Sequence, residues 1–190
     1  MRKALDGVNA ILLFVVVGYA VWAWPRLPTE IPAHFGIDGR VDRWAATTPF
    51  EWFLLPAIAV LSWLGMIAVG KFATARPQRI NLPGGQSLAD YPESVHPAVR
   101  EHVRAFVALA TTELLVIFGL LVLAQFRTAT GSDGQPLILA VLAIAVLSSP
   151  IMLSVFFIGV QKAIRTATPG PDRSAPLSGP GARMQRPPRA

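Results

Sequence analysis

Four long apolar runs dominate the chain, and the segments between them are rich in proline, glycine and charge. The runs fall at 8–24, 50–70, 105–126 and 137–160. Crossing a hydrocarbon core of about 30 Å takes about 20 mainly apolar residues in a helix. The pattern therefore predicts an all-α integral membrane protein, with four transmembrane helices within 1–168, a structured loop at 25–49 and a tail at 169–190. Arg2 and Lys3 ahead of the first run also give it the outline of a secretory leader. Trp22 and Trp24 spoil the cleavage pattern and the run is long for a leader, which favours a retained helix. The third helix is expected to start as early as His96, because no breaker follows Pro97.

Composition agrees with lipid as the solvent. Apolar residues make up 53% of the chain and charged residues only 15%, against about 25% charged in an ordinary soluble domain. The net charge of +6 would suit nucleic acid if it were spread over a surface. Instead the charges lie between and after the apolar runs, where they serve as topology signals and contacts to anionic lipid, so no nucleic-acid partner is expected. One set of alternate segments holds Arg2, Lys3, Lys71, Arg76, Arg79, Arg100, Arg104, Lys162, Arg165, Arg173, Arg183, Arg186 and Arg189, thirteen in all. The other set holds Arg26, Arg40, Arg43 and Arg127, four in all. Thirteen against four predicts both termini in the cytoplasm, with 25–49 and 127–136 outside a plasma membrane. Trp22, Trp24, Trp44 and Trp52 gather at the expected outer boundary, where indole rings prefer to sit. Beyond Thr168 the run of Pro, Gly, Ser and Arg leaves little to bury, so a disordered basic tail is expected.

The loop from 25 to 44 reads PRLPTEIPAHFGIDGRVDRW. Prolines at 25, 28 and 32 favour an extended, polyproline-like arm, and Gly36 and Gly39 flank Asp38 in a turn-like GIDG. Leu27, Pro28, Ile31, Pro32, His34, Phe35, Gly39 and Asp42 form the spaced pattern L-P-x-x-I-P-x-H-F-x-x-x-G-x-x-D. In this pattern the chain resembles the family of domain of unknown function 1648. Members often carry a lysine after the last aromatic; here Ala45, Ala46, Thr47 and Thr48 stand there. The family co-occurs with proteins similar to the SdpI immunity and signalling proteins of bacteria. The resemblance thus implies a bacterial membrane protein without known catalytic activity, with immunity or sensing as one role.

Could this loop hold a metal? His34, Asp38 and Asp42 are a weak candidate set, one imidazole and two carboxylates at spacings of four. The favoured expectation is structural: His34 donates to loop carbonyls, Asp38 closes the turn, and Asp42 pairs with Arg40 or Arg43. No cofactor is expected.

Inside the third run Glu113 stands nine residues past Arg104, hence about 14 Å along a helix and near the bilayer midplane. A carboxyl group there is costly when ionised and should face the interior, either protonated or partnered. Counting from each end puts Tyr19, Ser62, Thr112 and the pair Ser148 and Ser149 at similar depth, so one polar layer shared by four helices is expected. Its purpose is either to tie helices together or to serve as a proton or cation site. The first half of the loop before the third helix is basic and Pro/Gly-rich, and His96 and His102, six apart and so not on one helical face, are expected to be a solvated pair. The sequence has no cysteine, no HExxH, no GxSxG and no phosphate loop, which argues against an enzyme. Two functions follow. One is a non-enzymatic protein whose outer loop recognises an extracellular peptide or a membrane partner; the other is a small transporter or accessory subunit using Glu113.

Overall fold

A computed structural model describes residues 2–82 and 85–167. It is mostly helical: α1 (Arg2–Ala23), a hairpin of β1 (Glu30–Phe35) and β2 (Val41–Ala46), α2 (Pro49–Thr74), three short 3-10 turns, α3 (His96–Ala129) and α4 (Gln135–Ala167). All four helices are long and apolar enough to cross a bilayer; α2, α3 and α4 each contain an expected run, and α1 ends one residue before the close of the first. The chain is thus a multi-pass membrane protein by length and composition. The expected tail at 169–190, with Arg173, Arg183, Arg186 and Arg189, lies outside the described residues.

Local sequence explains the starts. At α2, the Thr48 hydroxyl accepts a hydrogen bond from the Glu51 N–H at 3.2 Å and Pro49 fills the first helical position, whose N–H has no partner to lose. At α3, Pro97 does the same near the first turn, so the helix begins at His96 as expected. Its 34 residues span about 51 Å, some 20 Å more than a hydrocarbon core needs.

That excess is used. Helix α3 is the hub against which α1, α2 and α4 all pack. Two apolar clusters mark its ends. At the hairpin end, Val16, Ala20, Ala23, Ile31, Trp52, Ala59, Leu115 and Val122 join α1, β1, α2 and α3. At the opposite end, Ile80, Leu82 and Leu88 from the loop pack on Val95, Val99 and Val103, with Val160 of α4. The loop after α2, basic and Pro/Gly-rich in sequence, is therefore a small folded cap with its own core. Its apolar residues were hidden by the prolines and charges between them. His102 departs from the solvated expectation. Its ring stacks on Phe156 at 5.8 Å against Gly159, where a Cβ would collide with the imidazole.

Outside these contacts the helices show lipid-type surfaces, with Phe14 84% and Val146 70% exposed. Trp52 is the exception among the expected belt residues. It is fully buried and its indole N–H donates to the Ala20 carbonyl at 2.9 Å. Trp22 and Trp44 are half-exposed, and the Arg26 guanidinium lies 4.1 Å over the Trp22 ring. The positive charges divide as the sequence does: Lys71, Arg76, Arg79, Arg100 and Arg104 sit toward the cap end, whereas Arg26, Arg40, Arg43 and Arg127 sit toward the hairpin end.

Candidate functional site: the hairpin cleft

The extended arm of the loop is a β-strand, which corrects both the polyproline expectation and the strictly all-α class. Glu30 pairs with Ala46, Ile31 with Ala45 and Pro32 with Trp44, after which the register slips twice, between Pro32 and His34 and again before Phe35. Pro32 has no N–H to give a ladder, so it is tolerated at such an irregularity. Its carbonyl is used, however, accepting from the Gln125 side-chain amide of α3 at 2.8 Å.

The spaced pattern now acquires geometry. Ile31 is fully buried in the core that joins the hairpin to the helices. Leu27 packs partly buried against the same cluster. The Pro28 carbonyl accepts from the Thr47 hydroxyl at 2.6 Å, closing the open end of the hairpin. His34 Nδ1 lies 2.7 Å from Asp42 Oδ1 across the strands. Asp38 turns away, its Oδ1 accepting from the Arg40 N–H at 3.1 Å and its Oδ2 3.8 Å from the Arg40 guanidinium. His34, Asp38 and Asp42 are thus divided between two contacts, and among the described residues no three His, Asp or Glu side chains gather to hold a metal. Asp42 pairs with His34 where Arg40 or Arg43 was expected.

Gly39 completes the turn at φ +78°. That conformation suits glycine, and the site is also crowded: a Cβ would lie 3.0 Å from Gln135 Cγ and 3.2 Å from the Gln135 carbonyl. Gln135 at the start of α4 returns the contact, its amide donating to the Asp38 carbonyl at 2.8 Å. The hairpin is therefore pinned twice, by Gln125 on α3 and by Gln135 on α4.

Beneath it lies a cleft of about 370 Å³. Its roof is Pro32, His34 and Phe35, its walls include Leu55 of α2 and Val141 of α4, and its floor is Leu121 and Gln125 of α3. Gln125 was not foreseen, and a glutamine inside an apolar run was the available signal. It is 95% buried, and because a carbonyl can only accept, its NH₂ must face Pro32. Its Oε1 is then buried with no hydrogen-bond partner among the described residues. A buried acceptor left unmade costs about 1–3 kcal/mol, so a donor brought to this cleft would recover that cost.

The intramembrane polar residues do not form one layer. Glu113 faces α4, where the Ser148 hydroxyl contacts its carboxyl. Ser148 also lies 2.6 Å from the Ile144 carbonyl. A hydroxyl has one proton, so Ser148 divides its donation between the Glu113 carboxyl and the Ile144 carbonyl. Thr112 faces α1 instead, donating to Asn9 Oδ1 at 2.7 Å, while the Asn9 amide donates to the Ala108 carbonyl at 2.9 Å. Asn9, 3% exposed, was also unforeseen. Tyr19 belongs to the hairpin end, in edge contact with Phe126 at 5.8 Å, thirteen residues and so about 20 Å along α3 from Glu113. Ser62 is half-buried on α2 without a hydrogen bond to Glu113, and Ser149 faces outward and donates to the Ala145 carbonyl at 2.8 Å.

A double-mutant cycle of Glu113→Ala and Ser148→Ala, measured by unfolding in mixed micelles, is expected to give a coupling of about 0.6 kcal/mol, the usual worth of an interhelical hydrogen bond in a membrane protein. Additive losses would show that the two side chains do not support each other.

Comparisons with known proteins add little function. An uncharacterized protein of the archaeon Archaeoglobus fulgidus is 26% identical over 172 residues, covering 85% of this chain and 89% of that protein. No solved structure matches the chain. Residues 11–60, which run from α1 through the whole hairpin into α2 and contain all eight residues of the spaced pattern, match the family described as a domain of unknown function, DUF1648.

Proposed function

We propose that this is a non-enzymatic protein of the plasma membrane, both termini in the cytoplasm, that recognises an extracellular peptide in the cleft under the β1–β2 hairpin, in an immunity or signal-sensing role. The observation that carries this is the unpartnered Gln125 Oε1 in a cleft roofed by Pro32, His34 and Phe35. An extended peptide offers backbone N–H donors for that oxygen and apolar side chains for the leucine and valine walls. The excess of Lys and Arg at the cap end supports the orientation, which places the hairpin outside. Glu113 lines neither this cleft nor the cavity at the other end, which counts against the alternative of a small transporter.

Peptides selected by display against the protein in nanodiscs test the idea. They should bind the wild type and lose roughly fivefold or more in affinity on Gln125→Leu, the lower bound of an unmade buried hydrogen bond. Phe35→Ala should weaken them as well. Selected peptides that bind both variants as tightly as the wild type would overturn the proposal.

A further inference from the structure

The second cavity lies at the cap end. Helices α1 and α2 meet near the hairpin, where Trp52 donates to Ala20, and part toward the other end. The gap between them, against α3, is a cavity of about 460 Å³. Its charged lining is three cations and one carboxylate: Arg2 and Asp6 of α1, Lys71 of α2 and Arg104 of α3. Arg2 is partly answered by Asp6 at 3.6 Å and Glu101 at 3.7 Å. Arg104 gives its Nε–H to the neutral Thr74 hydroxyl at 3.0 Å, which leaves the outer guanidinium nitrogens their donors. Neither Arg104 nor Lys71 is in an ion pair among the described residues. Deeper in, the lining is apolar, with Trp63, Met66 and Val107.

We propose that this cavity binds an anionic phospholipid, with the phosphate at Lys71 and Arg104 and an acyl chain along Trp63, Met66 and Val107. Charge complementarity selects the headgroup: two cations without a carboxylate partner converge from different helices, and arginine presents a fork of donors matched to phosphate oxygens. Dimensions select a lipid over a soluble phosphate. Trp63 lies eight residues from Lys71 on α2, about 12 Å along the axis, which is most of one leaflet's share of a hydrocarbon core of about 30 Å. A free phosphate would leave that apolar depth unused. Asn9, whose amide could otherwise compete for the ligand, is already engaged by Ala108 and Thr112. The inference does not rest on the peptide cleft at the other end.

Trp63 gives a local readout. The protein is reconstituted in phosphatidylcholine vesicles containing either brominated phosphatidylglycerol or brominated phosphatidylcholine, and the Trp63 signal is taken as the difference between wild type and Trp63→Phe. Brominated phosphatidylglycerol should associate with this site at least roughly fivefold more strongly than the zwitterionic lipid. The preference should fall to near unity in the double variant Lys71→Gln and Arg104→Gln and persist in Arg165→Gln, which removes an exposed charge elsewhere at the same end. Gly70→Leu, which fills the cavity and leaves every charge in place, should reduce quenching by both lipids. Circular dichroism and a monodisperse elution profile establish that each variant is folded. Equal quenching by the two lipids, equal loss in Arg165→Gln, or displacement of the lipid by millimolar inorganic phosphate would each overturn the proposal.

Discussion

Trp52→Ala should lower the stability of the helical assembly by about 3 kcal/mol, with a matching fall in the midpoint of thermal or denaturant unfolding in micelles. The usual range for truncating a buried tryptophan is about 3–5 kcal/mol. The low end applies because lipid tails are as apolar as leucine, so transfer out of the protein interior costs little and the loss is mainly that of packing. Trp52 is fully buried where α1, α2, α3 and the hairpin meet, with its ring 6.4 Å from that of Phe126. Ala20, Ala23 and Ala59, which belong to the same cluster, are too short to extend into the space. Trp52→Phe keeps most of the ring and loses the N–H to Ala20, so it should cost only about 1 kcal/mol. A tryptophan working as a lipid-belt anchor would behave otherwise, with both substitutions mild and a change in membrane depth. That outcome would sink the packing account.

The contrast between Trp52 and Trp22 shows what the sequence could and could not convey. Both residues lie where an aromatic belt is expected, and depth along a helix follows from counting. Which face a residue presents depends on its neighbours, and in lipid the usual cue fails, since buried and exposed faces are equally apolar. Helix α3 shows the same loss. Counting residues brings Glu113 and Ser148 to one depth, and they do meet; it also groups Thr112 with them, although adjacent residues on a helix point about 100° apart and Thr112 serves α1. The hairpin was obscured for a different reason. Three prolines read as a polyproline arm, whereas the strand is made by its partner β2 and by Gln125, neither of which is local to the prolines. The cap leaves a plain mark in the sequence. Val95, Val99 and Val103 repeat every four residues, the spacing of an apolar stripe that needs a partner. Asn9 and Gln125, each polar within an apolar run, carried a signal as strong as that of Glu113. Charge is dearer in lipid than an amide, yet the two amides are more deeply buried than Glu113.

Gly39→Val should detach the hairpin from α4 while leaving the four helices formed. The backbone at φ +78° is sterically poor for any L-residue, at a cost of about 1–2 kcal/mol, and worse for a β-branched one. The new Cβ would also press on Gln135 Cγ at 3.0 Å and on its carbonyl at 3.2 Å. The carbonyl belongs to a helix and cannot swing aside. Relief comes by moving the turn, which breaks the hydrogen bond from the Gln135 amide to the Asp38 carbonyl. The second pin, Gln125 to Pro32, holds the base of the strand, so the tip should loosen and the cleft lose Phe35 from its roof. Hydrogen exchange should accordingly rise at Gly36 and Gly39, whose N–H groups bond to Arg40 and Gly36 across the turn, and stay unchanged in α3. Peptides selected on the wild type should bind the variant at least roughly fivefold more weakly, since losing a roof contact and an ordered turn costs about 1 kcal/mol or more. Gly131 at φ +83° has open space around its Cβ position, so Gly131→Val supplies the control, with comparable backbone strain and no crowding against α4. Equal loss of binding in both variants would mean that general strain is responsible, and that the pinned tip has no special part in the cleft.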